Sequence, residues 1–166
     1  LAYFDKLAVK RISYRRRRKY YWDDITKYCS YYIHEDSFIL EIGCGTGELL
    51  HGVKAKRKVG IDFSQEMIRN ARAQFPGIEF HVMSAEDISL DEKFDVIILS
   101  NIIGYFEDVQ RVFDQVHKVC HPRTKIIITY YNYFWEPFIR LAEWTGIKTA
   151  SPSQNWLTQS DIKGLL

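Results

Sequence analysis

Residues 37–47 read S-F-I-L-E-I-G-C-G-T-G, an apolar run that passes directly into glycines at every second position, Gly43, Gly45 and Gly47. Glycines spaced in this way after a strand let the backbone turn sharply and approach a ligand closely, because no Cβ stands in the way. Nineteen positions beyond Gly43 lies Asp62, at the end of a second apolar run, Val59-Gly60-Ile61-Asp62. An acidic side chain at the tip of the strand that follows a glycine loop is placed to accept hydrogen bonds from ribose hydroxyls. The two features together predict a nucleotide-binding α/β unit. The spacing narrows the nucleotide, since a dinucleotide fold wants G-x-G-x-x-G, whereas here Glu48 stands three positions after Gly45 and the third glycine falls at Gly47. Hydride transfer is disfavoured accordingly.

Outward from this stretch, strand and helix signals alternate, the pattern of a parallel α/β sheet. Strands are expected at about 38–42, 58–62, 78–82, 94–99 and 124–131. Residues 94–99 (F-D-V-I-I-L) and 125–131 (K-I-I-I-T-Y-Y) are rich in β-branched and aromatic side chains, as strands buried on both faces should be. Helices are expected over roughly 13–34, from an N-cap at Ser64 to Pro76-Gly77, over 108–120 up to His121-Pro122, over 136–145, and from Ser160 to the last residue. One domain is predicted, with a basic helical region at 1–36, a cofactor-binding core at 37–132 and a helical segment at 133–166.

The chain has 166 residues, 46% hydrophobic and 27% charged, enough for one sizeable core. No stretch reaches the roughly 18 apolar residues of a membrane span, and no signal-peptide core opens the sequence, so a cytoplasmic protein is expected. Three cysteines, Cys29, Cys44 and Cys120, are odd in number and form no C-x-x-C pair, which argues for a reducing compartment. The net charge of +2 is uneven, for residues 1–34 hold nine Lys or Arg against three Asp. Arg15, Arg16, Arg17, Arg18 and Lys19, beside Tyr14, Tyr20, Tyr21 and Trp22, suit an anionic partner or a solvated helix face equally well.

An acidic residue opening an E-x-G-x-G-x-G loop, followed by an acidic residue at the end of the second strand, resembles the class I S-adenosylmethionine-dependent methyltransferases, of the type 11/25-like kind, over about residues 38–131. The resemblance implies a Rossmann-like, doubly wound sheet with five mainly parallel strands and helices on both faces. It also implies S-adenosyl-L-methionine as cofactor. Glu41, Gly43, Cys44, Gly45 and Gly47 would then wrap its methionyl and ribosyl parts, and Asp62 would hold the ribose. Phe63 would lie against the adenine with Met67 as a second apolar contact, Met67 serving equally well as helix core. Residues 83–88 (M-S-A-E-D-I) resemble the family's G-D-A-E-D-L segment, so backbone groups of Ala85 and Glu86 would bond the adenine edge; Ser84 stands where an Asp is common. Ser100 and Asn101 would lie beneath the transferred methyl. Residues 119–124 resemble the family's vLkPGG stretch with Arg123-Thr124 in place of the glycine pair, so that loop must turn differently. The family's last two strands are expected to be missing, which would leave 125–131 as an unprotected apolar edge. Self-association of this chain is therefore expected in light scattering, and a clean monomer at high concentration would contradict it.

Methyl transfer from a sulfonium is an in-line displacement in which the protein mainly supplies position and a dry site. No catalytic base is assigned; Tyr105, Tyr130, Tyr131 and His51 are the candidates. His117, Cys120 and His121 lack the further ligands a zinc site takes, and no metal is expected. Eight aromatics lie between Tyr130 and Trp156, with Tyr133 and Trp135 placed to contact a substrate at the carboxyl edge of the sheet. The expected activity is methyl transfer to a small-molecule or lipid-linked acceptor, anionic or apolar. The alternatives are a nucleic-acid methyltransferase docked by the basic N-terminal helix and a non-catalytic cofactor-binding regulator. The N-P-P-Y type motif of base-amine methylation is absent at Asn101-Ile102-Ile103-Gly104. Fusion to or association with a glycosyltransferase is consistent with the sequence, and the oligomeric state is left open.

Overall fold

The computed structural model describes residues 19–130, together with residues 141, 144, 145, 158, 161, 162 and 164. The elements in chain order are α1 (Lys19–Tyr32), β1 (Phe38–Ile42), α2 (Glu48–Gly52), β2 (Arg57–Asp62), α3 (Gln65–Gln74), β3 (Glu79–Val82), β4 (Phe94–Ser100), a 3-10 turn (Ile103–Tyr105), α4 (Val109–Lys118) and β5 (Cys120–Thr129). The strands form one sheet in the order β3-β2-β1-β4-β5, with every pairing parallel. Order reverses at β1, which pairs with β2 on one side and β4 on the other. In an open α/β sheet, that switch point is where a ligand crevice forms at the carboxyl ends of the strands.

Alternate residues of the strands feed two cores. Ile39, Val96 and Ile98 pack against Ile25 and Cys29 of α1, Leu49 and Leu50 of α2, and Ile68 and Ala71 of α3. Leu40, Ile42, Ile61, Ile97 and Leu99 turn the other way, against Val112, Phe113 and Val116 of α4 and against Ile162. Both faces are thus covered, and each large side chain that is fully buried contributes roughly 1.5–3 kcal/mol. Gly52 marks how closely α1 and α2 approach, since a Cβ there would come within 2.7 Å of Thr26 Cγ2.

Ser64 caps α3 as expected, its hydroxyl accepting from Met67 N, and Asp108 caps α4 through Arg111 N. At the far end of the chain, Thr158 Oγ1 accepts from Asp161 N while Asp161 Oδ2 accepts from Thr158 N, a reciprocal capping box. The cap expected at Ser160 lies outside the described residues. The helix expected at 136–145 lies almost wholly outside the described residues, as do Tyr131, Tyr133, Trp135 and the basic side chains of residues 10–19.

Between the glycine loop and β2 a short helix, α2, starts from Gly47. One expectation is corrected. The fifth strand begins at Cys120 rather than near 124. Phe94 pairs with Cys120 and Val96 with Lys125, so residues 121–124 bulge out of the ladder instead of making a separate turn. Side chains do the work of the absent glycines. Thr124 Oγ1 accepts from His121 N and donates to Phe94 O, and His121 Nε2 sits 3.0 Å from Asp95 Oδ1.

Asp95 also accepts from Phe38 N at 2.8 Å, and this amide, then His121, holds its carboxyl below the usual carboxylate range. A depressed folded-state pKa gives stability that is present above the unfolded value near 4 and is lost as pH falls through the folded value. Asp95→Ala should therefore cost up to about 1 kcal/mol at pH 7, the side chain being half exposed. Urea midpoints of variant and parent are expected to converge on acidification; a pH-independent gap would contradict this.

Candidate functional site

The glycine loop shows why its residues are glycines. Gly43, Gly45 and Gly47 have φ of 72°, 55° and 82°, the left-handed region that a side chain disfavours. Gly43 N and Cys44 N both donate to Ile61 O, and Gly47 N donates to Cys44 O. The loop is thus folded back onto the end of β2. Its middle is held by Asp62, whose Oδ2 accepts from Gly45 N at 2.9 Å while Oδ1 accepts from Ser64 N at 2.9 Å. One buried carboxylate joins the loop to the start of α3.

Along β1, Glu41 is buried in register with Gly60 and Ile98. Its charge lies close enough to Cys29 to act with burial, the larger cause, in pushing that thiol up to about 12. Cys29 therefore stays protonated and fills space. Cys44 belongs to the same buried cluster, and its thiol donates to Gly45 O at 3.8 Å, so the side chain anchors the loop to the core.

Around this centre the expected contacts separate into two groups. Phe63 is half-buried at the carboxyl end of β2, whereas Met67 is buried, a packing position on the first turn of α3. Beyond β3, Met83 N donates to Asp62 O, which brings residues 83–87 alongside. There Ser84 Oγ accepts from Glu86 N and Ser84 O from Asp87 N, closing a turn. The Glu86 carboxylate faces away from that turn, with Oε1 accepting from Glu107 N and Asp108 N and the Glu86 carbonyl accepting from Arg111 Nε. Glu86 thus ties the loop after β3 to the start of α4, and Ala85 packs on the core. Ser100 Oγ lies 3.0 Å from Thr129 Oγ1, and Asn101, at φ 55°, donates its backbone N to Thr129 O.

The structure adds one residue that the sequence reading left unassigned to the site. Tyr21 of α1 donates its hydroxyl to Asn101 Oδ1 at 2.8 Å, across 80 positions of sequence. Trp22 packs against the core and meets the Tyr21 ring edge-on at 5.6 Å. These two aromatics of the basic N-terminal region thus point inward. Of the candidate bases, Tyr105 is half-buried in the 3-10 turn after β4, and Tyr130 packs on the core beyond β5. His51 stacks on Phe75, at 4.3 Å between ring centroids, at the opposite end of α3 from Ser64, and so leaves the carboxyl edge. His117 is exposed, and among the described residues no group of three or more His, Cys, Asp or Glu assembles to hold a metal. No described helix is long and apolar enough to cross a membrane.

Comparison with known proteins agrees with this geometry. Residues 14–166 match the family model described as a methyltransferase domain. A demethylmenaquinone methyltransferase of Chlorobaculum parvum is 33% identical over 88 residues, which is 51% of this chain and 36% of that protein. The chain spans well under half the length of the first curated relatives it matches. Among solved structures, the complex between the Haloferax volcanii Trm112 methyltransferase activator and a putative methyltransferase superposes with a TM-score of 0.76 at 19% identity, covering 98% of this chain and 72% of that one. S-adenosylmethionine-bound CalS10, an amino pentose methyltransferase from Micromonospora echinaspora, gives a TM-score of 0.66 at 20% identity, covering 74% and 56%.

Proposed function

We propose that this chain, which belongs to the methyltransferase domain family, binds S-adenosyl-L-methionine in the glycine cradle after β1 and transfers its methyl group to a small-molecule or lipid-linked acceptor. The observation that carries the reading is the Asp62 carboxylate, buried and aimed by two backbone amides beside a loop of three left-handed glycines. A carboxylate presents about four acceptor positions, so a group oriented in this way suits a vicinal diol.

The donor set fits the cofactor, with the Asp62 carboxylate beside the left-handed glycine backbone. At Gly43 that backbone packs directly on the residue after Asn101, since a Cβ there would come within 2.1 Å of Ile102 Cδ1. Glu41, Gly43, Cys44, Gly45 and Gly47 would surround the methionyl and ribosyl parts, chiefly through backbone, with Asp62 on the ribose. Phe63 would offer its face to the adenine, and the turn at Ala85 and Glu86 would offer backbone groups to the adenine edge. When bound, the cofactor supplies a methyl group already activated by a sulfonium charge. The chain's part is then orientation and exclusion of water. Ser100 and Asn101 would close the site at the end of β4, with Tyr105 in the turn that follows. The demethylmenaquinone and amino pentose methyltransferases support an apolar or small acceptor, as does the aromatic-rich segment after β5.

Calorimetric titration with S-adenosylmethionine should give saturable binding with one site per chain; no heat and no thermal stabilisation would sink the reading.

A further inference from the structure

The contact between α1 and the end of β4 has a direction that matters chemically. Tyr21 donates to Asn101 Oδ1, so the amide oxygen faces α1. The amide nitrogen must then face the other way, and its contact with Ser100 Oγ, at 3.5 Å, is at the limit of a hydrogen bond. An asparagine nitrogen carries two donors. Asn101 is also the non-glycine residue with positive φ among those described, at 55°, and its backbone N is tied to Thr129 O. A left-handed asparagine is tolerated when its surroundings over-determine it. Here three elements do so: α1 through Tyr21, β5 through Thr129, and β4 itself. The next residue, Ile102, lies against Gly43. Tyr21, Asn101, Ile102 and Gly43 form one chain of contacts from the N-terminal helix to the glycine cradle.

We propose that the Asn101 side-chain nitrogen donates to the α-carboxylate of the cofactor's amino-acid part, and that Tyr21 is a positioning residue that fixes the amide in the orientation this needs. The inference rests on the cofactor reading above and assigns a task to α1, which serves as a wall of the site. Without the phenol, the Asn101 amide is released to flip, presenting an oxygen to a carboxylate in part of the population. Tyr21→Phe keeps the ring and its packing and removes only the hydroxyl. Asn101→Asp keeps an oxygen for Tyr21 but replaces the donor with a negative charge.

The test compares two ligands by calorimetry on the whole chain, S-adenosylhomocysteine and 5′-methylthioadenosine, the second lacking the amino-acid part. Tyr21→Phe should weaken S-adenosylhomocysteine about fivefold to tenfold, the worth of one hydrogen bond, and leave 5′-methylthioadenosine within about twofold. Asn101→Asp should weaken the first ligand more than about tenfold and again spare the second. Melting temperatures report whether each variant is folded. Equal losses for both ligands, or no loss for either, would overturn the inference while leaving the cofactor reading intact. Parent protein that binds neither ligand would overturn the cofactor reading and this inference with it.

Discussion

Asp62→Ala is expected to reduce affinity for S-adenosylmethionine by at least about a hundredfold, equivalent to about 2.7 kcal/mol. Two losses combine. The ribose hydroxyls lose an ionised acceptor, and hydrogen bonds to charged groups are worth roughly 1.5–3 kcal/mol each. The cradle also loses its brace, because Gly45 N and Ser64 N both donate to this one carboxylate. Asp62→Asn separates the two effects. Its single amide oxygen can replace one acceptor, so the loop stays partly held while the charge is gone, and an intermediate loss of binding is expected. Calorimetry with parallel urea denaturation measures both quantities. Asp62→Ala protein that binds with parental affinity would remove Asp62 from the site.

The largest stability effect is expected at Gly47→Ala. Its φ of 82° costs a side chain roughly 1–2 kcal/mol. The new Cβ would lie 2.5 Å from Phe80 Cζ and 2.8 Å from Phe80 Cε1, with Ala71 Cβ at 3.4 Å behind. Phe80 is buried, so its ring cannot swing into solvent, and overpacking of this kind adds roughly 1–3 kcal/mol. A loss of roughly 2–5 kcal/mol is a large share of the 5–15 kcal/mol that holds a domain folded. Gly43→Ala is the contrasting case. The atoms in its way belong to Ile102, a half-buried side chain that can turn aside, so chiefly the backbone strain should remain in the urea midpoint, while the cradle backbone shifts against the turn after β4. Gly47→Ala should therefore be seen first in stability and Gly43→Ala first in binding. Equal effects of the two variants on both quantities would contradict the assignment.

What could be read in the sequence follows from how local each requirement is. The glycine loop was legible because left-handed backbone admits few residue types, so the demand is written at the position that bears it. The five strands were legible too, since buried parallel strands need continuous apolar runs. Tyr21 was read with the basic stretch, as part of a face for an anionic partner or solvent, because its partner Asn101 lies 80 positions away and no local pattern records it. The Glu86 carboxylate serves the start of α4, a task visible only once Glu107 and Asp108 are seen beside it. The bulge at 121–124 replaced an expected turn because Thr124 and His121 find Phe94 and Asp95 in space, which no local pattern records. The five-residue α2 is too short to show a helical period.

The central place of β1 has a kinetic consequence. Its neighbours are β2 and β4, and β4 arrives more than fifty residues later along the chain. Pairings at such separation form slowly, since loop-closure entropy is spent before the contacts return anything. The cradle at residues 43–47 is written early in the chain but set late. Its brace waits for Asp62, and the Asn101 turn beside it waits for Thr129 of β5. A ligand seated there would recognise only chains that have completed the sheet, stabilising them by about 2.7 kcal/mol at a hundredfold excess over its dissociation constant. The cofactor would in this way act as a proof-reader of folding, rewarding the finished topology and no partial one.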